Sequence, residues 1–404
     1  MNLARFAPLA VFFLAASLSL ASIAGPSEDA EAAYTNGDYA TALRLWRDLV
    51  QQGDASAQNH LGVMYRDGRG VQRDDRQAVE WFRKSADQGN AEAQARLGAM
   101  YENGRGGLVK DDAQAVALYR KSADQENALG QAYLGVMYAN GVGGLAEDDA
   151  QAVGLFRKSA GQGNAEGQAN LGVMYASGLG GLPKDEAQAV TLFRKSADQG
   201  NALGEIYLGA MYGNGLGGLP KDEAQAAAWF RKSADQGNAE GQARLGVMYG
   251  DGRGGLPKDE AQAVAWFRNS ADQGNALGQV NLGYMYEKGL GGLPKDDAQA
   301  AAWFRKSAGQ GNAQAQAYLG VMYGNGRGGL PKDEAQAVAM FRKSADQGNA
   351  LGQTYLGYMY ENGVGGLAKD EAQAIAWYQK AADQGLAFAK DAISRIRGAN
   401  PQLR

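Results

Sequence analysis

The pattern Leu-Gly-x-Met-Tyr begins at Leu61, Leu97, Leu134, Leu171, Leu208, Leu245, Leu282, Leu319 and Leu356, with a first step of 36 residues and every later step of 37. Self-similarity at such a period marks an array in which each unit buries its apolar face against its neighbours. A chain of 404 residues with no period would divide into independent cores, because one core stops growing near roughly 250–300 residues. The single length change falls where Arg69-Gly70-Val71-Gln72-Arg73 becomes Gly-Gly-Leu-x-Lys in most later units. Length changes in repeat proteins belong in loops, so the helices are placed by exclusion.

The stretch Asn164 to Gly200 shows the parts of one unit. Asn164 is a good N-cap for a helix A running to about Ala176, with Glu166 in the first turn where the helix dipole favours an acid. Gly167, Leu171, Met174 and Gly178 recur at spacings of 4, 3 and 4, which places them on one face against a core. Gly172 and its counterparts lie inside helix A in all nine units. An interior glycine costs roughly 1 kcal/mol relative to alanine, so its recurrence implies close backbone approach by a neighbouring helix. Gly178-Leu179-Gly180-Gly181-Leu182-Pro183 ends helix A and turns the chain, and such segments account for the high count of 59 glycines. The loop has neither the ending of a phosphate-binding loop nor a strand before it, and it recurs in every unit, so it reads as a turn. Asp185, with Gln188 three residues on, caps a helix B that starts near Glu186. Ala189, Val190, Phe193 and Ala197 form its buried stripe with Leu192 alongside, and Gln199-Gly200 ends it before Asn201 caps the next helix A.

Leu-Gly-x-Met-Tyr, the Gly-x-Gly loop, Asp-x-x-Gln-Ala and Trp-Phe-Arg-Lys-Ser-Ala-Asp-Gln-Gly-Asn-Ala together closely resemble the Sel-one-like repeat (SLR), a relative of the tetratricopeptide repeat with a longer loop. The resemblance implies an all-α fold, a right-handed α/α superhelical solenoid of about nine 36–37-residue helix-turn-helix repeats with capping helices. It also implies a scaffold or adaptor that binds protein partners, with helix A lining the concave surface. One exported, cysteine-rich branch of the family is linked to penicillin binding and weak β-lactam hydrolysis. This chain has no cysteine, so that activity arrives without its hallmark residues.

The organisation expected from these patterns is a signal peptide over 1–24, a capping helix pair over 25–53, nine repeats over 54–385, and a capping helix and tail over 386–404. Arg5 gives the leader its positive start, Pro8 to Leu20 its apolar core, and Ser22-Ile23-Ala24 the small residues read at cleavage. Cleavage after Ala24 is expected, leaving no stable membrane insertion and a periplasmic or secreted bacterial location. Tyr34, Tyr39, Leu43 and Trp46 mark a degenerate first helix pair that turns at Asn36-Gly37-Asp38. At the far end Ile393-Ser394-Arg395-Ile396-Arg397 stands where a repeat would carry its Leu-Gly-x-Met-Tyr, and charge is expected to replace core there.

Chemistry is constrained by what is missing. His60 is the one histidine and cysteine is absent, which removes histidine-dependent triads with a spare histidine and zinc sites of His and Cys. Ser196 has equivalents at Ser85, Ser122, Ser159, Ser233, Ser270, Ser307 and Ser344, whereas an active site is expected once. The tryptophans at Trp81, Trp229, Trp266, Trp303 and Trp377 fall in helix B and read as packing. A net charge of -4 with both signs interspersed argues against a nucleic-acid surface. No enzyme, cofactor or metal site is expected, and the sequence leaves the oligomeric state open.

Variation between units locates the candidate surface. Directly before the repeated leucine stand His60, Arg96, Tyr133, Asn170, Tyr207, Arg244, Asn281, Tyr318 and Tyr355, a mixture no core position accepts. Four residues earlier the chain alternates: Glu92, Leu129, Glu166, Leu203, Glu240, Leu277, Gln314, Leu351. Positions 2, 6, 9 and 13 after the cap share one helical stripe, as with Leu129, Tyr133, Val136 and Asn140. The expected partner-binding groove is therefore Arg96, Leu129, Tyr133, Asn170, Leu203, Tyr207, Arg244, Leu277, Asn281, Tyr318, Leu351 and Tyr355, holding an extended peptide or a helix. Packing between adjacent repeats, or duplication of a two-repeat block, would also explain the alternation. Groove residues are expected to be nearly silent in stability. The expected function is a non-enzymatic interaction scaffold, and the alternative is a cell-envelope hydrolase of β-lactam or peptidoglycan chemistry.

Overall fold

The structure, a computed structural model, describes residues 25–400 and 402. The leader expected over 1–24 lies outside the described residues. Among the described residues there are twenty-one helices and no strand, an all-α solenoid whose successive helices pack pairwise. Its contacts divide it into two compact bodies, the first running through Gly130 with Val142–Gly144, the second taking Gln131–Gly141 and everything from Leu145.

One repeat explains the rest. Helix A of repeat 4, Ala165–Ser177, starts where the Asn164 side chain accepts a hydrogen bond from Gly167 N at 2.9 Å. It ends at Gly178 in the left-handed conformation, φ 68°, which costs glycine nothing. The loop is anchored by Asp185 N donating to Tyr175 O at 2.8 Å. Asp185 then caps helix B, Glu186–Asp198, by accepting from Gln188 N at 2.9 Å. Leu171, Met174, Ala189, Val190, Phe193 and Ala197 are buried, each large side chain contributing roughly 1.5–3 kcal/mol relative to exposure.

Three polar and steric devices fix how helix B sits on helix A, and all three recur. Fully buried Ser196 donates its hydroxyl to Ala165 O at 2.7 Å, the equivalent of Ser85 to Ala55 O and Ser270 to Ala239 O. This is why the serines repeat. Gln199 donates to the Gln168 side chain at 2.8 Å, one rung of a ladder that includes Gln88 to Gln58 and Gln384 to Gln353. In one rung a carboxylate replaces the amide, and Gln236 donates to Glu205 at 2.8 Å. Third, a Cβ on Gly172 would lie 2.6 Å from the Phe193 ring. The expected close approach at this glycine is thus by an aromatic ring, not by a neighbouring backbone. The tight backbone approach sits at Gly167 instead, where a Cβ would meet Ser159 Oγ at 2.3 Å and Ala160 N at 2.9 Å.

The end pieces are helices Pro26–Thr35 and Tyr39–Gln51, and Ala387–Ala399. In the first body Ala30, Ala42 and Trp46 pack with Ala57, Leu61 and Met64 of helix A of repeat 1, Ala55–Asp67. In the second, Ile393 and Ile396 remain buried. The expectation that charge replaces core there is corrected: the isoleucines keep the core, and Arg395 turns outward onto Glu361, which also accepts from Tyr378 at 2.9 Å.

Candidate functional site

Every expected groove residue lands on the half-exposed stripe of a helix A, the residues before the repeated leucine lying between buried neighbours. Arg96 and Leu129 belong to the first body and the others to the second. Where the position before the repeated leucine carries His60, Tyr207, Arg244, Tyr318 or Tyr355, it shares a role that its variety concealed, covering an aromatic ring of the helix before it. Tyr207 stacks on Phe193 with centroids 5.0 Å apart, Tyr318 tilts onto Phe304 at 4.9 Å, and Tyr355 stacks on Phe341 at 4.9 Å. Arg244 lies over Phe230 at 5.7 Å. In the first body His60 lies flat on Trp46 at 4.4 Å. Each covered ring lies fourteen positions earlier in the chain; that constant separation was the available signal.

These contacts overturn the expectation that the stripe is silent in stability. A stacked pair adds about 0.5–1.5 kcal/mol beyond its buried area. Burial pushes the Tyr207 and Tyr318 phenols up from their ordinary range, and it pushes the His60 imidazole down, against the pull of Glu92 and Glu31. Asn170 and Asn281 turn back on their own helices, donating to Glu166 O at 2.9 Å and Leu277 O at 2.8 Å. Arg96 and Arg244 pair with Glu92 and Glu240 one turn earlier. Tyr133 is half-buried in the same register.

The Glu/Leu alternation acquires a mechanism in the second body. Glu166 accepts from the side-chain amide of Asn201 at 2.8 Å, Glu240 from Asn275 at 2.9 Å, and Gln314 from Asn349 at 3.0 Å. Each bond ties the first turn of one helix A to the cap of the next, at the junctions of repeats 4 and 5, 6 and 7, and 8 and 9. Contact between successive A helices is closest at those three junctions. Leu203, Leu277 and Leu351 occupy the intervening repeats and cannot accept.

Shallow cavities follow the stripe. One of about 480 Å³ lies by Val321, Phe341, Tyr355, Tyr358 and Met359, and one of about 300 Å³ by Arg244, Val247, Met248 and Leu277. A third, about 370 Å³, is lined by Leu351, Thr354, Tyr355, Tyr358, Leu386 and Phe388 without a charged side chain. Tyr358 and Phe388 are 48% and 56% exposed. The tryptophans of helix B lie elsewhere, several under a lysine, as with Lys232 over Trp229 at 3.7 Å and Lys306 over Trp303 at 4.0 Å. Among the described residues no three His, Asp or Glu side chains group as metal ligands, and no helix is long and apolar enough to cross a membrane.

The comparisons agree on the repeat. A family model described as Sel1 repeat matches residues 55–90, 91–127, 128–164, 165–201, 202–238, 239–275, 276–312, 313–349 and 350–386. A crystal structure of a protective antigen present in uropathogenic Escherichia coli strains, displaying an SLR fold, is 36% identical over 91% of this chain and 78% of that one, with a TM-score of 0.53. A Sel1 repeat protein from Oxalobacter formigenes is 27% identical over 62% of this chain and 96% of its own, with a TM-score of 0.50. No curated protein matches the chain.

Proposed function

This chain belongs to the Sel1 repeat family, and from that premise we propose that it is a non-enzymatic scaffold whose helix A stripe binds a protein partner in extended or helical form. The observation that carries this reading is the position before the repeated leucine where it holds Tyr207, Tyr318 or Tyr355. Its inner face rests on a buried ring while its outer edge stays open. A side chain so supported is preorganised, and preorganised Tyr and Arg are the residue types that dominate binding interfaces. The nearby serines do not form a nucleophilic set, since each is buried and bound to a carbonyl. The leader pattern around Arg5 and Ser22-Ile23-Ala24 supports a periplasmic or secreted location, with a mature chain starting at Gly25 whose intact mass would show the cut.

Photo-crosslinking tests the surface. A photoreactive phenylalanine analogue is placed singly at Tyr207, Tyr318 and Tyr355, and at Arg194 and Arg305 on helix B as controls. Discrete protein adducts from the first three positions alone are expected. Equal adducts from both sets, or turnover of a chromogenic β-lactam that one stripe substitution abolishes, would overturn the scaffold reading.

A further inference from the structure

The junctions between successive A helices in the second body are of two kinds. At the tied kind, a Glu or Gln accepts the amide of the next cap. At the open kind, between repeats 5 and 6 and between 7 and 8, Leu203 and Leu277 stand in the acceptor's place. The caps there, Asn238 and Asn312, still use their oxygens, accepting from Gly241 N and Ala315 N at 3.0 and 2.9 Å. Their NH2 groups have no acceptor among the described residues. By equivalence with Asn201 and Asn275 these donors aim at the stripe. Repeat 9 ends in a third open junction, where the cap is Leu386 with no side-chain hydrogen bond and Leu351 lines the uncharged cavity of about 370 Å³.

We infer that the partner is an extended polypeptide read at every second repeat, with apolar side chains beside Leu203, Leu277 and Leu351 and backbone carbonyls accepting from Asn238 and Asn312. The inference rests on the scaffold reading above and adds its register. An apolar residue beside a neutral amide donor matches the two things every peptide offers, a side chain and a carbonyl, and the repeat 9 cavity holds no charge to select an ionic ligand. At the tied junctions the cap's amide is already used and a polar Glu or Gln stands in the leucine's place, so the register passes over them. Packed helices stand about 8–10 Å apart, so two repeats advance about 16–20 Å. An extended chain covers about 3.3–3.6 Å per residue, which sets the partner's apolar positions about five or six residues apart.

The test pans random peptides of about sixteen residues, displayed on phage, against the mature chain, a length that reaches three sites at this spacing. Enriched peptides are expected to carry apolar residues five or six apart. The counter-target is the double variant Leu203→Glu, Leu277→Glu, which converts both open junctions to the tied kind and is expected to melt no lower than the parent. Synthetic copies of the enriched peptides should bind it about tenfold more weakly or worse. Glu240→Leu, which opens an intervening junction, should admit peptides with apolar residues about three apart. No enriched peptide, no spacing preference, or equal binding to a double variant shown to be folded would overturn the register. If the stripe positions still crosslink a partner, the scaffold reading survives that loss; if they do not, both fall together.

Discussion

At the scale of single residues, the departures from the repeat are the informative positions. Glu126 holds φ at +60° in the turn from helix B to helix A, where other repeats place a glycine such as Gly163 or Gly200. A non-glycine residue in that region costs about 1–3 kcal/mol, so Glu126→Gly should raise the melting temperature of the mature chain; a lower one would mean that the side chain earns its place through contacts. Glu205 is the lone carboxylate in the glutamine ladder, and burial raises its pKa. The folded state therefore binds the proton more tightly than the unfolded one. Stability from this group is fullest below the unfolded value, about 4.3, and is lost as pH rises through the folded value. Glu205→Gln restores the rung found in the other repeats and should stabilise the folded chain at neutral pH. That gain should vanish in melting curves taken near pH 4, and a gain independent of pH would contradict the burial argument.

At the scale of the helix, Gly172 separates two accounts with opposite signs. Propensity alone makes Gly172→Ala stabilising by about 1 kcal/mol, whereas a Cβ 2.6 Å from the Phe193 ring predicts overpacking and a net loss of about 1–3 kcal/mol. Chemical denaturation of the two chains decides it. The helices themselves were legible in the sequence because their determinants are local: the Asn and Asp caps, the glycine stops and the apolar spacing all fall within a turn or two of what they control. What was not legible is carried by pairs distant in sequence. Tyr207 on Phe193 spans fourteen positions, Gln199 to Gln168 thirty-one, and Asn201 to Glu166 thirty-five. A single unit read alone shows one partner of each pair. The stripe could therefore be located before its support was visible, and Gly172 could be flagged as a close approach before the ring that makes it was known.

At the scale of the whole molecule, stability in a repeat array is close to a sum of repeat and neighbour terms, and this chain adds terms that differ between alternate junctions. Serine, glutamine and glycine positions recur because every repeat needs the same seat for helix B. The position before the repeated leucine varies because only its inner face is constrained. This division of labour is the central claim: invariant positions build the array, and the stripe is the surface we propose for the partner. Hydroxyl-radical footprinting of the mature chain, alone and with the partner recovered by crosslinking, tests it most directly. Oxidation of Tyr207, Tyr318, Tyr355 and Tyr358 should fall on binding while that of Trp229, Trp266 and Trp303 on helix B stays unchanged; protection of the tryptophans with the tyrosines left as reactive as before would contradict it.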